Sequence, residues 1–488
     1  MSTGRRVMVV GLEALDLALL GRLMAAGRLP NLARTAEEWQ HATVASDGHA
    51  LSGSVWASFA AGTGPGDHGQ FYSRQWVPGE ARYAAEGERD FGYEPFWAAL
   101  RGTGKRSVVL DVPDTPAIRA PGFRSFYGWG VAHDVPDSSW PASFLKEVRQ
   151  TAGRHPIGPD PVMPLDGSGK LALARTAASG IARRMELLIR TAGAGDWELM
   201  IAALPELHTA GHYLSAAEQL SARSTNEDAI AFVLGHFDRR WPRLVEAAGS
   251  DCDIYLFSPH GMIPGTGTGM FAGALLRAFE GRAEDEAGRR GDVISLIRDL
   301  LPTRLRLAIW NALPVEARHR RLGRGAPPTG ALFEVLHDIN ASYRANLRGR
   351  ERDGFLEAEE ARAMLVRLGE YLAGVTGESG GAAFEQIWMA ERDAPGRHSD
   401  WLPDLMGVTR AGHYSPGALL TPDGSRLAEP RSAVHNGIHT GEGYVYFRAA
   451  GGGRLVRGSV DVREFAPTLL ERLGVEPLTD FDGAPFVT

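Results

Sequence analysis

A single cysteine, Cys252, stands in the 488 residues. No intrachain disulfide is possible with one thiol, and no cysteine-rich zinc module. Lysine is almost as scarce: Lys105, Lys146 and Lys170 are the only three among 52 basic residues. With arginine supplying the rest, this reads as coding bias and not as mechanism. Positive charge is not in excess either; the net charge of −7 argues against broad binding to nucleic acid or anionic membranes. No apolar run approaches the length of a membrane span. The first residues, MSTGRRVMVVGLEAL, faintly echo a signal peptide. Their apolar run stops at Glu13 without a small-residue cleavage site, so it reads better as a buried strand. No repeat and no low-complexity linker interrupts the chain. The expectation is a soluble, cytoplasmic protein.

What is present is ordinary globular composition, 44% hydrophobic and 23% charged, with strands and helices in alternation. Buried strands are predicted at Arg6–Leu12, Ser107–Pro113, Trp197–Leu204 and Asp253–Ser258, and a late one at Gly441–Phe447. Amphipathic helices follow, among them a closing one with Phe465, Leu469, Leu470 and Leu473 on its apolar face. This pattern predicts an α/β fold with a mainly parallel sheet flanked by helices. One domain over residues 1–488 is expected, with helical insertions at about 131–195 and 270–340. Gly167-Ser168-Gly169-Lys170 resembles a phosphate loop, but the earlier glycine is missing at the required spacing and the motif is rejected.

The stretch Leu51–Gly69, LSGSVWASFAAGTGPGDHG, carries apolar residues at helical spacing (Val55, Trp56, Phe59, Ala60) and ends in glycines. Ser52-Gly53-Ser54 then stands at a helix start, where unpaired N–H groups favour anions. A hydroxyl there can be a nucleophile on an ester, or simply an N-cap; on this stretch alone the cap is the simpler reading. Four of the 15 histidines stand out by position. His208 and His212 are four apart just past a strand, so on a helix both rings face one side and can share a metal. His260 directly follows another strand, and His439 precedes a third. Glu13 and Ser52 occupy similar positions, where an α/β site assembles. An H-x3-H pair alone is common.

The ordered set VVGLE, GRLPNLA, SGSVWASFAAGTGPGDHG, VLDVPDTP, PELHTAGH, SPHGM, RANLRGRERDGF, LPDL, HTGEG and FAPTLLERLGV resembles the alkaline phosphatase superfamily. The closest branch is the type I phosphodiesterase/nucleotide pyrophosphatase-like phosphohydrolases, and the match runs from Val7 to about Gly483. The resemblance implies an alkaline-phosphatase-like sandwich and two divalent metals, usually zinc, bridging a Ser/Thr nucleophile and a phosphoryl oxygen. It puts the nucleophile on Ser52, with Ser54 and Ser58 as runners-up. The metal positions fall on Glu13, Ser52, His208, His212, His260 and His439.

Three of those positions depart from the family pattern: Glu13, His208 and Pro259 each stand where an aspartate is usual. Glu13 keeps a carboxylate one methylene further out, His208 keeps a ligand type, and Pro259 offers none. One carboxylate and one alkoxide against two dications leave about +2, where the usual set is near neutral. The resemblance therefore implies one tight metal at His208/His212/His439 and a second, weak or absent, at Glu13/Ser52/His260.

The expected activity is metal-dependent hydrolysis of a small-molecule phosphate ester, a diester in preference to a monoester, through a Ser52 covalent intermediate. A sulfatase, a phospho- or sulfo-transferase, or a catalytically silent metal-binding homologue on the same scaffold are the alternatives. No membrane and no nucleic-acid polymer are expected as partners, and a homo-oligomer is compatible with this reading. Ser73 and Arg74 are weak candidates for holding a substrate anion, a surface salt bridge being an equal reading of Arg74. His68 reads as a loop-shaping residue, Arg344, Asn346, Arg348 and Arg350 as a structural polar run. His413 and His435 are candidate partners behind the metal ligands.

Overall fold

The computed structural model describes residues 5–85, 91–130, 138–157, 165–215, 218–282, 328–337, 339–410, 418–428 and 435–488. Its centre is a nine-stranded sheet. In spatial order the strands are Ser459–Asp461, Gln40–Ala45, Glu442–Arg448, Cys252–Ser258, Arg6–Gly11, Leu199–Ala203, Ser107–Leu110, Phe123–Tyr127 and Ser138–Trp140. Only Glu442–Arg448 and the edge strand Ser138–Trp140 run antiparallel to the strands beside them. The remaining pairings are parallel, as the sequence predicts.

Parallel strands covered on both faces bury every side chain, which is why these segments read as unbroken apolar runs. Along Arg6–Gly11 the residues alternate between two cores. Met8 and Val10 join the one that holds Ile254, Leu256 and the helix Gly167–Ala194. Val7 and Val9 join the other, with Tyr255, Phe257 and the helices Val55–Ala61 and Phe465–Leu473. The closing helix buries Phe465, Leu469, Leu470 and Leu473, as its periodicity predicts.

The two segments expected as insertions hold regular elements that pack into the cores. Within 131–195 lies a 28-residue helix, Gly167–Ala194, whose Ala174, Ala177, Ile181, Met185 and Leu188 pack in the central core. Alanines and a glycine are interspersed along its buried face, which weakens its apolar signal, and its arginines dominate the pattern. Within 270–340, residues 283–327 lie outside the described residues. The described part includes the strand Leu332–Val335, which with Ala341–Ala345, Leu405–Thr409 and Phe384–Met389 forms an antiparallel four-stranded sheet. A third core, including Phe271, Leu275, Tyr343, Leu368 and Leu405, lies under it. The polar run there is structural: Arg344 is fully buried on Glu351, at 2.7 Å, and Arg350 holds Asp404 with both guanidinium nitrogens at 2.6 Å. No helix among the described residues is long and apolar enough to cross a membrane.

Candidate metal centre

Four parallel strands deliver the candidate residues from their C-terminal ends. Arg6–Gly11 leads to Glu13 and Gln40–Ala45 to the Ser52 turn. Leu199–Ala203 leads into the helix Pro205–Leu214, which carries His208 and His212, and Cys252–Ser258 runs into Pro259 and His260. His439 arrives on the short strand Gly437–His439, paired antiparallel with Met262–Pro264 so that His439 faces Met262. That ribbon brings His439 back beside His260, their ring centroids 4.5 Å apart.

Nε2 of His208 lies 3.0 Å from Nε2 of His439 and 3.0 Å from Nε2 of His212. The ligand atoms of all three rings fall within 4.8 Å of one another, the one such group among the described residues. The donor set fits a metal on chemical grounds. Nδ1–H of His212 donates to the Gly437 carbonyl at 3.1 Å, which leaves its Nε2 a bare lone pair. A neutral His208 has one ring proton and cannot satisfy two Nε2 neighbours at once. Three imidazole nitrogens so close together could share one cation. Tetrahedral zinc with bonds of about 2.0–2.1 Å would set its ligand nitrogens roughly 3.3 Å apart. Burial, then the neighbouring His260, His212, His208 and His337, holds His439 well below the usual imidazole range, so it stays neutral and able to ligate. His435 stacks on His212 with centroids 4.4 Å apart. Nδ1 of His439 is buried with no partner among the described residues, and His413 lies outside them.

The other candidates are less concentrated. His260 donates from Nδ1 to the Gly261 carbonyl at 3.2 Å, and burial pushes it down to about 4, so its Nε2 is also a neutral donor atom. Glu13 is buried, with Oε2 unpartnered. Burial, then Asp114 and Glu206, pushes its carboxyl up to about 8. It belongs to a polar group behind the histidines. There Arg184 bonds Asp111 and Glu206 at 2.7 Å each, and His155 bonds Glu206 at 2.7 Å. Nothing in the sequence marks this group, because arginine inside a helix usually signals a solvated face.

The nucleophile stretch differs in detail from the expectation. The helix covers only Val55–Ala61 and ends at Gly62 with φ +68°, the left-handed stop its glycine allows. Ser52 lies one turn earlier, in a 3-10 turn over Ser52–Ser54. Ser54 Oγ donates to the Leu51 carbonyl at 2.7 Å, and Ser58 Oγ is bonded by His68 Nε2 at 3.0 Å. Ser52, half-buried, is the hydroxyl of the three without a partner among the described residues. His68 also accepts from the Gln70 N–H at 3.0 Å, a loop-shaping role. Ser73 precedes, and Arg74 opens, the hairpin strand Arg74–Val77; both are half-buried. His337, on the connection that follows the strand Leu332–Val335, also contributes to lowering His439.

The family model for type I phosphodiesterase / nucleotide pyrophosphatase matches residues 7–437. No curated protein matches the sequence significantly. Among solved structures, murine ectonucleotide pyrophosphatase / phosphodiesterase 5 superposes with a TM-score of 0.52 at 12% identity, covering 97% of this chain and 96% of that one. Phosphonoacetate hydrolase from Sinorhizobium meliloti 1021, in complex with phosphonoacetate, gives 0.52 at 15% identity with the same coverage. Wild-type alkaline phosphatase PafA gives 0.53 at 11% identity, covering 99% of this chain and 98% of that one. At such identities these likenesses establish the fold, which is that of alkaline phosphatase. By the extent of the family match the chain belongs to the type I phosphodiesterase / nucleotide pyrophosphatase family.

Proposed function

We propose that the protein is a metal-dependent hydrolase of phosphate esters, with diesters preferred over monoesters, acting through Ser52. The observation that carries this reading is the meeting of three imidazole Nε2 atoms, from His208, His212 and His439, at the C-terminal edge of the sheet. These three would hold a divalent metal tightly, zinc being the cation that suits three neutral nitrogens and an open position. Glu13, His260 and Ser52 would hold a second one weakly, since Pro259 removes a carboxylate beside His260. A cation so held supplies Lewis-acid stabilisation of charge on the phosphoryl group.

The chain's own part begins with Ser52. Its Oγ loses its proton and forms a bond to phosphorus as the ester oxygen departs and takes up a proton; water then cleaves the Oγ–P bond, adding its oxygen to phosphorus and returning a proton to the serine. The tight turn Leu51–Ser54 holds the backbone that carries Oγ. His212 is oriented by the Gly437 carbonyl, and burial keeps His260 and His439 unprotonated.

The test is metal analysis together with p-nitrophenyl phosphate, bis-p-nitrophenyl phosphate, a phosphonate ester and a sulfate ester as substrates. Ser52→Ala should abolish turnover of the best of these with the fold intact, because no hydrogen bond is lost. Full activity in that variant would exclude Ser52. Sulfate turnover alone would make the protein a sulfatase, and no turnover of any member a silent homologue.

A further inference from the structure

His337 has no role in that scheme, yet it is 4% exposed and acts electrostatically on His439. It comes from the connection between the strands Leu332–Val335 and Ala341–Ala345, and that connection is braced from several sides. Leu336 N–H donates to the Tyr83 hydroxyl at 3.0 Å. Asn340 Nδ2 donates to the carbonyls of His49 and Ala50, at 3.0 and 2.9 Å, just ahead of Ser52. Asn340 Oδ1 accepts from Thr409 N–H at 2.9 Å, which ties the same residue into the antiparallel sheet.

The ring itself stacks on Tyr72, with centroids 5.0 Å apart and planes inclined by 27°. Tyr72 in turn lies against the nucleophile turn. A Cβ on Gly53 would come within 2.6 Å of Tyr72 Cα, and Gly53 N–H donates to the Phe71 carbonyl at 3.1 Å. Glycine is required there by this close approach of two backbones. His337 is thus tied to the Ser52 turn through Tyr72 and Asn340. Its tautomer follows from the local bonds. Nδ1 accepts from Ile339 N–H at 3.3 Å and Asn340 N–H at 3.1 Å, so it carries the lone pair and the ring proton is on Nε2.

We propose that His337, held flat by Tyr72, donates from Nε2 to a non-bridging phosphoryl oxygen of the substrate poised at Ser52. The proposal rests on the assignment of Ser52 as nucleophile. It makes the antiparallel sheet part of the substrate site, with Leu336–Asn340 as the arm that delivers the donor.

Two variants separate this role from a structural one. His337→Asn keeps an acceptor for the Ile339 and Asn340 amides but loses the outer N–H. His337→Gln can return an amide donor near the Nε2 position. With bis-p-nitrophenyl phosphate, His337→Asn should lower kcat/KM by about 10- to 100-fold, the worth of a hydrogen bond to a charged oxygen. His337→Gln should recover part of that loss. Metal content per chain and the urea midpoint should match wild type in both. A readout without turnover is calorimetric binding of inorganic phosphate in the Ser52→Ala background, where His337→Asn should weaken affinity by about tenfold. Wild-type kcat/KM and phosphate affinity in His337→Asn would overturn the proposal. So would losses that track metal content or stability. If Ser52→Ala retained turnover the nucleophile assignment would fall, and the phosphate titration would still judge His337 separately.

Discussion

Replacing Arg184 with Met removes the guanidinium at the centre of the buried carboxylates and keeps a side chain of comparable reach. Arg184 is wholly enclosed; it bonds Asp111 and Glu206 at 2.7 Å each and the Trp129 carbonyl at 2.8 Å. Breaking a buried pair by removing one partner costs about 3–5 kcal/mol, because the other charge is left in place. Here the carboxylates respond unequally. Burial raises Asp111 to about 7 and Glu13 to about 8, so both can meet the loss of Arg184 by holding a proton. Burial would also raise Glu206, but Arg184 and His155 hold it down at about 2. The cost therefore falls mainly on Glu206. In the variant burial acts on it with less opposition, its folded pKa rises, and keeping it ionised costs more stability as the pH increases. The expected loss is about 3–5 kcal/mol at pH 8 and clearly less at pH 5, where a proton replaces the missing cation. Urea unfolding at the two pH values measures both quantities. Glu206 also lies two residues before His208 on the same helix, so metal affinity should fall alongside. A loss below about 1 kcal/mol, or one equal at both pH values, would refute the view that this arginine neutralises the group.

The two metal sites proposed above, unequal in their ligands, give a second test: dialysis against a mild chelator should strip one cation long before the other. His212→Ala should lose the tight one, Glu13→Ala the loose one or little, and Pro259→Asp should raise metal content towards two per chain; two equally tight metals in the native protein would contradict this. A third concerns Glu13 in the metal-free protein. Its carboxyl titrates near 4.5 when free and about 8 when buried, so stability is full below 4.5 and is lost as the pH rises through 8. Glu13→Gln should flatten that decline, by at most about 1.4 kcal/mol per pH unit, in unfolding curves taken between pH 5 and 8.

Much of this molecule could be read from one-dimensional pattern. Val7–Val10, Met200–Ala203 and Ile254–Phe257 are continuous apolar runs because both faces of a parallel sheet are covered, and the polar residues after them mark its C-terminal edge. His208 and His212 announce themselves through a single helical turn. What stayed hidden depends on pairing across long separations. The strand Glu442–Arg448 was visible, but its antiparallel direction was not, since direction leaves no trace in composition. The helix Gly167–Ala194 hides its buried face behind alanines, and Arg184 within it looks like a surface charge. His337 is an isolated histidine beside an unremarkable strand; only the turn bonded through Asn340 carries it to the site.

The separation of His208 from His439 by 231 positions also governs when the centre can exist. An i, i+4 pair is available as soon as the helix Pro205–Leu214 forms, but the third nitrogen must wait for the ribbon of Met262–Pro264 and Gly437–His439 to close. Closing so long a loop carries an entropic cost that the local helix pair does not. Cation uptake should therefore report the completed chain and not its early folding units. A cation held there, as proposed, would act as a clasp between segments far apart in sequence, and would slow their parting more than it speeds their meeting.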